Sequence, residues 1–274
     1  MPGVGAAFAG ASEAIWQAVY PAVPDFSIEV LPEIDSTNTE LMRRARAGRL
    51  EPILLVAGAQ TAGRGRLGRD WHSAVGDSLT FSLGLPLAPA DWSGLSLAVG
   101  ASVAESLHPD IRLKWPNDLW LTGEHGDRKL GGILIETASV GDRRYAVIGV
   151  GINIAPRDAA GLSTPPASMR ELEPQAGAPD VLRRLAPPLV QSVLAFGQFG
   201  FGPFQARFNA RDALRERQVS VSDGQGGILE GTAHGAGENG ALLVHTATGM
   251  KQITSSEVSV RPQPRPSSAP AGAA

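Results

Sequence analysis

Glycine and arginine alternate in the segment GRGRLGRDW, residues 63–71. Its three glycines have the G-x-G-x-x-G spacing of a dinucleotide-binding turn, but that turn needs a helix that begins at the third glycine. The residues after Gly68, RDWHSAVGD, lack helical periodicity, and Pro86 and Pro89 interrupt the strand–helix–strand unit that would follow. The glycine spacing therefore does not predict a dinucleotide site.

The arginines of this segment indicate a site for anions. Glycine allows backbone N–H groups to approach an anion, while guanidinium groups donate paired hydrogen bonds to carboxylate or phosphate oxygens. Arg64, Arg66 and Arg69 place three such groups within six residues, next to Trp71. A solvated, flexible basic loop is the alternative interpretation of the same residues.

Three further segments carry residue types that suit a site, although each also has an ordinary structural interpretation. KWPND (114–118) is a favourable turn, in which Lys114 is predicted to be structural. KLGG (129–132) places Lys129 at the start of a strand, where a surface lysine is common. GVGIN (149–153) interrupts a buried strand with two glycines, as a β-bulge does.

The segment DSTNTE has the pattern of a helix start. Thr37, followed three residues later by Glu40, matches a capping box. Ser36, Thr37 and Asn38 also present neutral hydrogen-bond donors and acceptors, and Gln60 offers both kinds of group at the end of the next strand. Both interpretations can hold together.

Composition limits the classes of protein to consider. The 274 residues are enough for one large domain, or for one medium and one small domain, and 43% hydrophobic residues allow a sizeable core. A formal net charge of −3 gives no overall positive field toward nucleic acid or anionic lipid. The absence of cysteine excludes disulfides, zinc ribbons and thiol nucleophiles, and the dispersed histidines predict no protein-built metal site. No apolar run reaches the roughly 18 residues of a membrane span, so a cytoplasmic protein is predicted.

Hydrophobic periodicity divides the chain into regions of different character. Residues 26–216 alternate strands and helices and include a long loop at 155–180. Residues 217–261 contain five short strands separated by turn residues, which is typical of a small barrel. Residues 1–25 are predicted to be an N-terminal extension with one short helix, and residues 262–274 a disordered tail.

Within residues 26–216 the hydrophobic pattern predicts strands at 26–34, PILLVAGAQ, SLTFSLGL, IRLKW, DLWL, KLGGILIE and YAVIGVGINI. It predicts helices at STNTELMRRARAG and WSGLSLAVGASVAESL, and two further helices between residues 181 and 216. The polar segment TASVGDRR is predicted to connect the last two strands.

Four motifs in this order, GRGRLGRDW, KWPNDLW, KLGGILIE and VIGVGINI, resemble those of the biotin–protein ligases over residues 33–261. The chain resembles the short form of this family, which lacks an N-terminal DNA-binding domain. The resemblance implies an α+β fold: a mixed, mostly antiparallel sheet with helices packed on it, of the class II synthetase-like biotin/lipoate ligase type. It also implies a small C-terminal SH3-like β-barrel.

The resemblance implies a two-step reaction. Biotin and ATP, the latter with Mg²⁺, would give biotinyl-5′-AMP and pyrophosphate, and biotin would then pass to a lysine of the biotin carboxyl carrier domain of a carboxylase such as acetyl-CoA carboxylase. A lipoate or octanoate transferase of the same superfamily is the alternative, and a biotin-responsive DNA-binding repressor is a third. No nucleic acid or membrane partner is expected, and a homodimer is allowed.

The resemblance also assigns roles to residues on the biotin side of the site. The family pattern places Ser36, Thr37, Asn38 and Gln60 on the biotin ring, whose ureido group has one carbonyl and two N–H groups. It places four residues of the glycine–arginine segment on the biotin carboxylate and the activated phosphate: Gly63, Arg64, Gly65 and Arg66. Arg69 is expected to bind substrate beside them, and Trp71 is a candidate wall of the site.

The remaining roles concern the reacting atoms and the nucleotide. Lys129 is the implied catalytic cation between the biotin carboxylate and the α-phosphate, and Gly132 keeps side chains away from the ligand. Asp118 is implied near the acceptor lysine, which it would orient or deprotonate. Gly149 and Gly151 would open the floor of the pocket and Asn153 would reach the adenine. The last two expectations are a lid over the adenylate at residues 155–169 and a position for Arg261 near the ATP site.

Overall fold

The computed structural model describes residues 3–160, 162–222, 227–254 and 258–263. The predicted tail beyond residue 263 lies outside the described residues. A seven-stranded sheet has the order β1-β2-β3-β7-β6-β5-β4. Its strands are β1 (Ser27–Ile34), β2 (Ile53–Gln60), β3 (Ser78–Pro86), β4 (Arg112–Lys114), β5 (Asp118–Leu121), β6 (Arg128–Val140) and β7 (Arg143–Asn153).

Five helices accompany the sheet: α1 (Val4–Val19), α2 (Thr37–Arg46), α3 (Leu95–Leu107), α4 (Ala178–Phe199) and α5 (Gly202–Asn209). β1 and β2 pair in parallel because α2 carries the chain back between them, whereas the other neighbouring strands pair antiparallel. The predicted α+β fold with a mixed, mostly antiparallel sheet is confirmed.

The alternation of side chains along β7 separates the two faces of the sheet. Ile148, Val150 and Ile152 enter the large core that α1, α3 and α4 cover, whereas Tyr145 and Val147 pack in a second cluster with α2. Further along the α2 face the same alternation reaches Gly149 and Gly151, and on neighbouring β3 it reaches Ser78, Thr80 and Ser82. One face is therefore apolar throughout, and the other becomes small and polar beside α2.

The connection between β6 and β7 differs from the prediction. TASVGDRR does not form a polar linker, since β6 continues to Val140, β7 begins at Arg143, and Gly141 turns the chain with a φ of 57°. Ala138 and Val140 pack against the cluster under α2 while alternate residues face outward, as in a half-buried strand. Polar alternation was mistaken for a loop.

The helices near both ends also differ from their predicted lengths. α1 is a full helix whose Phe8, Ile15 and Val19 join the main core, so residues 4–19 are packed against α4 and β1. α4 retains Pro187 and Pro188 within the helix, and α5 ends at Asn209, short of residue 216.

The C-terminal region forms an antiparallel sheet in the order β11-β10-β9-β8-β12, and all five predicted strands are confirmed. They are β8 (Gln218–Ser222), β9 (Ile228–Ala236), β10 (Leu242–Thr246), β11 (Gly249–Ile253) and β12 (Ser259–Pro262). The core continues across the junction, and Nε1 of Trp115 donates to the Gly240 carbonyl at 3.0 Å. Over the described part of the chain, no helix is both long and apolar enough to cross a membrane.

Candidate active site

A cleft on the α2 face of the large sheet gathers the residues that the motifs indicated. All but one of the fifteen predicted site residues line it: Ser36, Thr37, Asn38, Gln60, Arg64, Gly65, Arg66, Arg69, Trp71, Asp118, Lys129, Gly132, Gly149 and Asn153. Gly63 does not line the cleft and lies behind it, where a Cβ atom would collide with the Trp71 carbonyl and the Gln60 amide. Residues separated by more than a hundred positions are thus brought to one site.

Strand register places the cleft residues in two rows across the sheet. Thr80, Gly151, Gly132 and Asp118 are successive partners on β3, β7, β6 and β5. Ser82, Gly149 and Leu134 form the next row. Adjacent strands lie about 4.8 Å apart, so the first row alone extends about 14 Å. The cleft is therefore long enough for an elongated ligand that spans several strands.

The two glycines of β7 make room for side chains of the site itself. A Cβ atom on Gly149 would overlap the amide of Asn38, and one on Gly151 would overlap the indole ring of Trp71. Gly149 was expected to open the floor of the pocket to the ligand. The structure fills that space with Asn38, because helix α2 begins directly above this part of β7.

One end of the cleft is a buried neutral hydrogen-bond network. Oε1 of Gln60 accepts from the Thr37 backbone N–H at 2.7 Å and from its hydroxyl at 3.1 Å. Ser82, which is fully buried, lies 2.7 Å from Oγ1 of Thr37 and 2.6 Å from Oδ1 of Asn38. This end suits a polar but uncharged group.

The start of α2 corrects the predicted capping box. Ser36, not Thr37, is the N-cap residue, and its hydroxyl accepts from the Thr39 N–H at 3.3 Å. Thr37 is the first helical residue, so its hydroxyl is directed to Gln60 and Ser82 instead of the helix end.

The glycine–arginine segment forms a closed loop beside this network. The Gly65 N–H donates to the Arg69 carbonyl at 2.7 Å, and the Trp71 N–H donates to the Gly63 carbonyl at 2.8 Å. Leu67 has a φ of 56°, an uncommon conformation for a side chain of this size. The loop is thus an ordered structure, not the freely solvated basic loop that was the alternative.

The arginines of the loop have different surroundings. Nη2 of Arg64 donates to both carboxylate oxygens of Glu136, at 2.8 and 3.0 Å. Burial lowers the pKa of the Arg66 guanidinium from its usual value, an effect that the Asp118 carboxylate opposes and Arg69 reinforces. Arg66 and Arg69 are therefore the guanidiniums whose charge acts at the centre of the cleft.

A carboxylate between two lysines forms that centre. Nζ of Lys129 lies 2.7 Å from Oδ1 of Asp118, and Nζ of Lys114 lies 3.7 Å from Oδ2. Burial alone would raise the pKa of Asp118, but the charges of Lys129 and Lys114 outweigh it and hold the pKa below its usual value. Burial lowers the pKa of Lys114, and the neighbouring cations add to that shift against the opposing effect of Asp118. Lys129 is more exposed than either, with 31% of its side chain accessible.

Asn153 connects this centre to the predicted lid. Its amide Nδ2 donates to the carbonyls of Lys129 and Ala167, at 3.2 and 3.0 Å. The Lys129 N–H donates to the Pro165 carbonyl and the Ala167 N–H donates to the Lys129 carbonyl, each at 2.8 Å. Pro165 and Ala167 of the lid segment are consequently held by hydrogen bonds to Lys129 and Asn153. Oδ1 of Asn153 accepts from Nη1 of Arg157 at 3.4 Å.

Two polar atoms in the cleft have no protein partner among the described residues. Nε1 of Trp71 and Oγ1 of Thr80 are both buried and without a hydrogen bond. Thr80 is the cross-strand partner of Gly151, over which the Trp71 ring lies, so the two atoms belong to the same part of the cleft. Buried donors normally have partners, and a ligand with an acceptor atom would supply them here.

Several cleft residues were missed from the sequence. Lys114, predicted to be structural, lines the cleft beside Asp118, and Thr80 lines its floor. Val258, Ser259 and Val260 of the C-terminal sheet close one side, whereas Arg261 points outward and does not line the cleft. Val258 and Val260 face the cleft, whereas Arg261 faces outward. This alternation could have been recognised in EVSVR once that segment was known to be a strand.

Comparison with known proteins agrees with this fold and cleft. Residues 30–153 match the biotin/lipoate A/B protein ligase family, and residues 216–261 match the biotin protein ligase C-terminal domain. The chain is 37% identical over 249 residues to the bifunctional ligase/repressor BirA of Escherichia coli (strain K12), which covers 86% of this chain and 74% of that protein. It is 33% identical over 245 residues to biotin--[acetyl-CoA-carboxylase] ligase of Paracoccus denitrificans, covering 84% and 98% respectively.

A solved structure extends the similarity to three dimensions. The biotin protein ligase from Aquifex aeolicus, in complex with biotin and ATP, superposes with a TM-score of 0.72 at 29% identity, covering 86% of this chain and 99% of that one. The mixed sheet, the cationic cleft and the small C-terminal sheet together define a ligase of this architecture. This chain belongs to the biotin/lipoate protein ligase family.

Proposed function

We propose that this protein is an ATP-dependent biotin–protein ligase, which forms biotinyl-5′-AMP and pyrophosphate and then transfers biotin to a lysine of a biotin carboxyl carrier domain. The observation that carries this proposal is the arrangement of one cleft. A neutral hydrogen-bond network lies at one end, and a cluster of Lys129, Arg66 and Arg69 around Asp118 lies at the other. The relatives named above as biotin ligases support it.

The neutral network is suited to the biotin ring. A ureido group has one acceptor and two donors, and burying it requires complementary uncharged partners. Ser36, Thr37, Asn38 and Gln60 offer hydroxyl, amide and backbone groups of both kinds within one buried cluster. The valerate chain would then lie along Gly149, Gly151 and the Trp71 ring toward the cationic centre.

The cationic centre is suited to the first half-reaction. A biotin carboxylate oxygen attacks the α-phosphorus of ATP, and the bond to the β-phosphate oxygen breaks to release pyrophosphate. A carboxylic acid is already ionised at pH 7, so no general base is needed, and the barrier comes from bringing two anions together. Lys129 lies at the cleft surface with its charge directed inward by Asp118, where it can bridge both anions. Arg66 and Arg69 add positive charge near the same carboxylate.

The second half-reaction joins the acceptor amine to the acyl carbon of biotin, and AMP leaves. The low pKa of Asp118 makes it a weak proton acceptor, so we infer that it orients the acceptor lysine by charge, and that the ammonium loses its proton to solvent before the amine attacks. When the phosphate draws Lys129 away, Lys114 still neutralises Asp118 from its other oxygen.

Magnesium is proposed to enter with ATP as part of the substrate. Among the described residues, no group of three or more histidine, aspartate or glutamate side chains is arranged to hold a metal ion. The cation would therefore be held mainly by the nucleotide phosphates. The homodimer, the cytoplasmic location and the absence of a nucleic acid partner stay predictions from the sequence.

The experiment that tests this function is mass spectrometry of the protein after incubation with biotin and Mg-ATP. Tightly bound biotinyl-adenylate is expected. Lipoate or octanoate should give no adenylate, because neither carries a group for the neutral network. Folded protein that forms no biotinyl-adenylate, or that activates lipoate instead, would exclude the proposal.

A further inference from the structure

Glu136 ends the motif KLGGILIE and lies between two ligand-binding segments of the cleft, although the sequence analysis gave it no role. It lies on β6, on the same face as Gly132 and Leu134, which line the cleft. Its carboxylate accepts from Arg64 of the glycine–arginine loop and, through Oε2, from Nδ2 of Asn38 at 2.9 Å. One side chain therefore contacts both segments at once.

The loop is tied to the sheet by the Trp71 ring, which lies over Gly151, and by the Arg64 side chain. The hydrogen bonds from Gly65 to Arg69 and from Trp71 to Gly63 close the loop on itself, so they fix its shape and not its position. The Arg64–Glu136 pair joins the loop to the sheet. Nη2 of Arg64 lies 2.8 and 3.0 Å from the two carboxylate oxygens of Glu136. Arg64 is partly exposed, with 46% of its side chain accessible, whereas Glu136 is 25% accessible.

The same carboxylate also fixes the orientation of the Asn38 amide. Nδ2 of Asn38 donates to Glu136 and to the Leu134 carbonyl, so Oδ1 is turned toward Ser82. An amide in the reverse orientation would place its oxygen against the Glu136 carboxylate and lose both donated bonds. Glu136 thereby sets which group Asn38 directs into the neutral network.

We propose that Glu136 is a positioning residue for biotin: it holds the glycine–arginine loop over the biotin end of the cleft through Arg64 and orients the Asn38 amide. The proposal rests on the function above. Arg64 then acts through the loop, and the phosphate and carboxylate charges are met by Lys129, Arg66 and Arg69. Removing the Glu136 charge should loosen biotin and its adenylate without altering the reaction centre.

The test compares Glu136→Gln with Glu105→Gln. Glu105 pairs with Arg207 at 2.6 Å, with a similar exposed fraction of 36%, and does not line the cleft. Biotin affinity is measured by calorimetry and the rate of adenylate release by stopped flow. The rate of ATP-dependent pyrophosphate exchange is measured at saturating biotin. Glu136→Gln should weaken biotin binding by about fivefold, the effect of one partly exposed charge-assisted contact. It should also speed adenylate release, while exchange at saturating biotin and the KM for ATP stay unchanged. Glu105→Gln should change none of these.

A second pair of variants checks the route through Arg64. In adenylate release, Glu136→Gln should have a smaller effect in the Arg64→Met background than in wild type, because only the contact with Asn38 is then left to remove. The proposal would be overturned if Glu136→Gln bound biotin as tightly as wild type or more tightly. Fully additive effects in the double variant would also overturn it. Wild-type protein that forms no adenylate would instead contradict the proposed function itself. If Glu136→Gln does not fold, Arg64→Met tests the same contact from the other side.

Discussion

Asp118 holds Lys129 at 2.7 Å through one carboxylate oxygen while Lys114 lies 3.7 Å from the other. The three groups come from the end of β4, the start of β5 and the neighbouring strand β6, and they place two positive charges around one negative charge. Only Lys129 is substantially accessible from the cleft, since the side chains of Lys114 and Asp118 are 11% and 14% exposed. Lys129 is therefore the cation that can leave Asp118 to pair with an incoming anion.

Replacing Lys129 tests that role. Lys129→Ala should reduce biotin-dependent pyrophosphate exchange by about 100-fold or more, because a charge preorganised for the transition state is lost. The fold should persist, since Lys114 still neutralises Asp118. Lys251→Ala, which removes an exposed lysine of β11, is the control and should exchange normally. Normal pyrophosphate exchange in Lys129→Ala would show that another residue is the catalytic cation.

Arg66 should separate the two half-reactions. Biotinyl-adenylate is a reactive mixed anhydride that must stay enclosed until the acceptor arrives, and a guanidinium on its phosphate would hold it. Arg66→Gly should retain some activation through Lys129 but release the adenylate faster, so that biotin appears on lysines of bystander proteins. Arg49→Gly, at an exposed site outside the cleft, serves as the control in the same avidin blot. Selective labelling of the carrier at the normal rate by Arg66→Gly would contradict this assignment.

Gly151 should tolerate no side chain, because the Trp71 ring occupies the space that a Cβ atom needs. Gly151→Ala is expected to displace the indole, reduce biotin affinity and change tryptophan fluorescence, while the apolar core on the opposite face stays intact. Gly177→Ala adds the same methyl group where only an ordinary contact with Pro179 arises, so its affinity and spectrum should match wild type. Equal behaviour of the two variants would show that Trp71 does not depend on Gly151.

The lid segment should divide into two parts in hydrogen exchange. The amides of residues 157–160 and 162–164 should exchange rapidly in the free protein and become protected when biotinyl-adenylate forms. The amides of Ala167 and Ser168 should exchange slowly in both states, because they donate to the Lys129 carbonyl and the Glu171 carboxylate. Uniform exchange along the whole segment would contradict this division.

Asp212 predicts a pH dependence of stability outside the cleft. Burial raises its pKa to about 6, against the opposing effects of the Leu214 N–H and Arg215. The folded pKa exceeds the unfolded one, so the favourable contribution is complete below the unfolded pKa and is lost as pH rises through about 6. The free energy of unfolding of wild type, minus that of Asp212→Asn, should therefore fall by about 2 kcal/mol between about pH 4 and 7. Urea titrations at several pH values measure it; a flat or rising difference would contradict the assignment.

The sequence predicted the strands, most helices and the central residues of the cleft, because alternation and glycine placement are local properties. In VIGVGINI, Ile148, Val150 and Ile152 mark the face of the main core and the glycines mark the opposite face, so the motif contained both the strand and the site. The role of Gly149 was misjudged because the side chain above it, Asn38, is more than a hundred residues away.

Contacts between distant residues were the part that local patterns could not predict. Arg64 and Glu136 are 72 positions apart, and no spacing rule joins a loop arginine to a strand glutamate. Lys114 was predicted to be structural. Its position beside Asp118 in the cleft depends on the packing of the whole sheet, which the local pattern does not contain. The placement of Pro165 and Ala167 depended likewise on hydrogen bonds to Lys129.

The central claim is that this cleft activates biotin for transfer to a carrier lysine, and intact mass spectrometry of a purified biotin carboxyl carrier domain tests it most directly. Incubated with this protein, biotin and Mg-ATP, the carrier should gain one biotinyl group on a single lysine. With Lys129→Ala it should gain none, and lipoate in place of biotin should leave it unmodified. A carrier that remains unmodified by folded wild-type protein, or that gains a lipoyl group instead, would contradict the account.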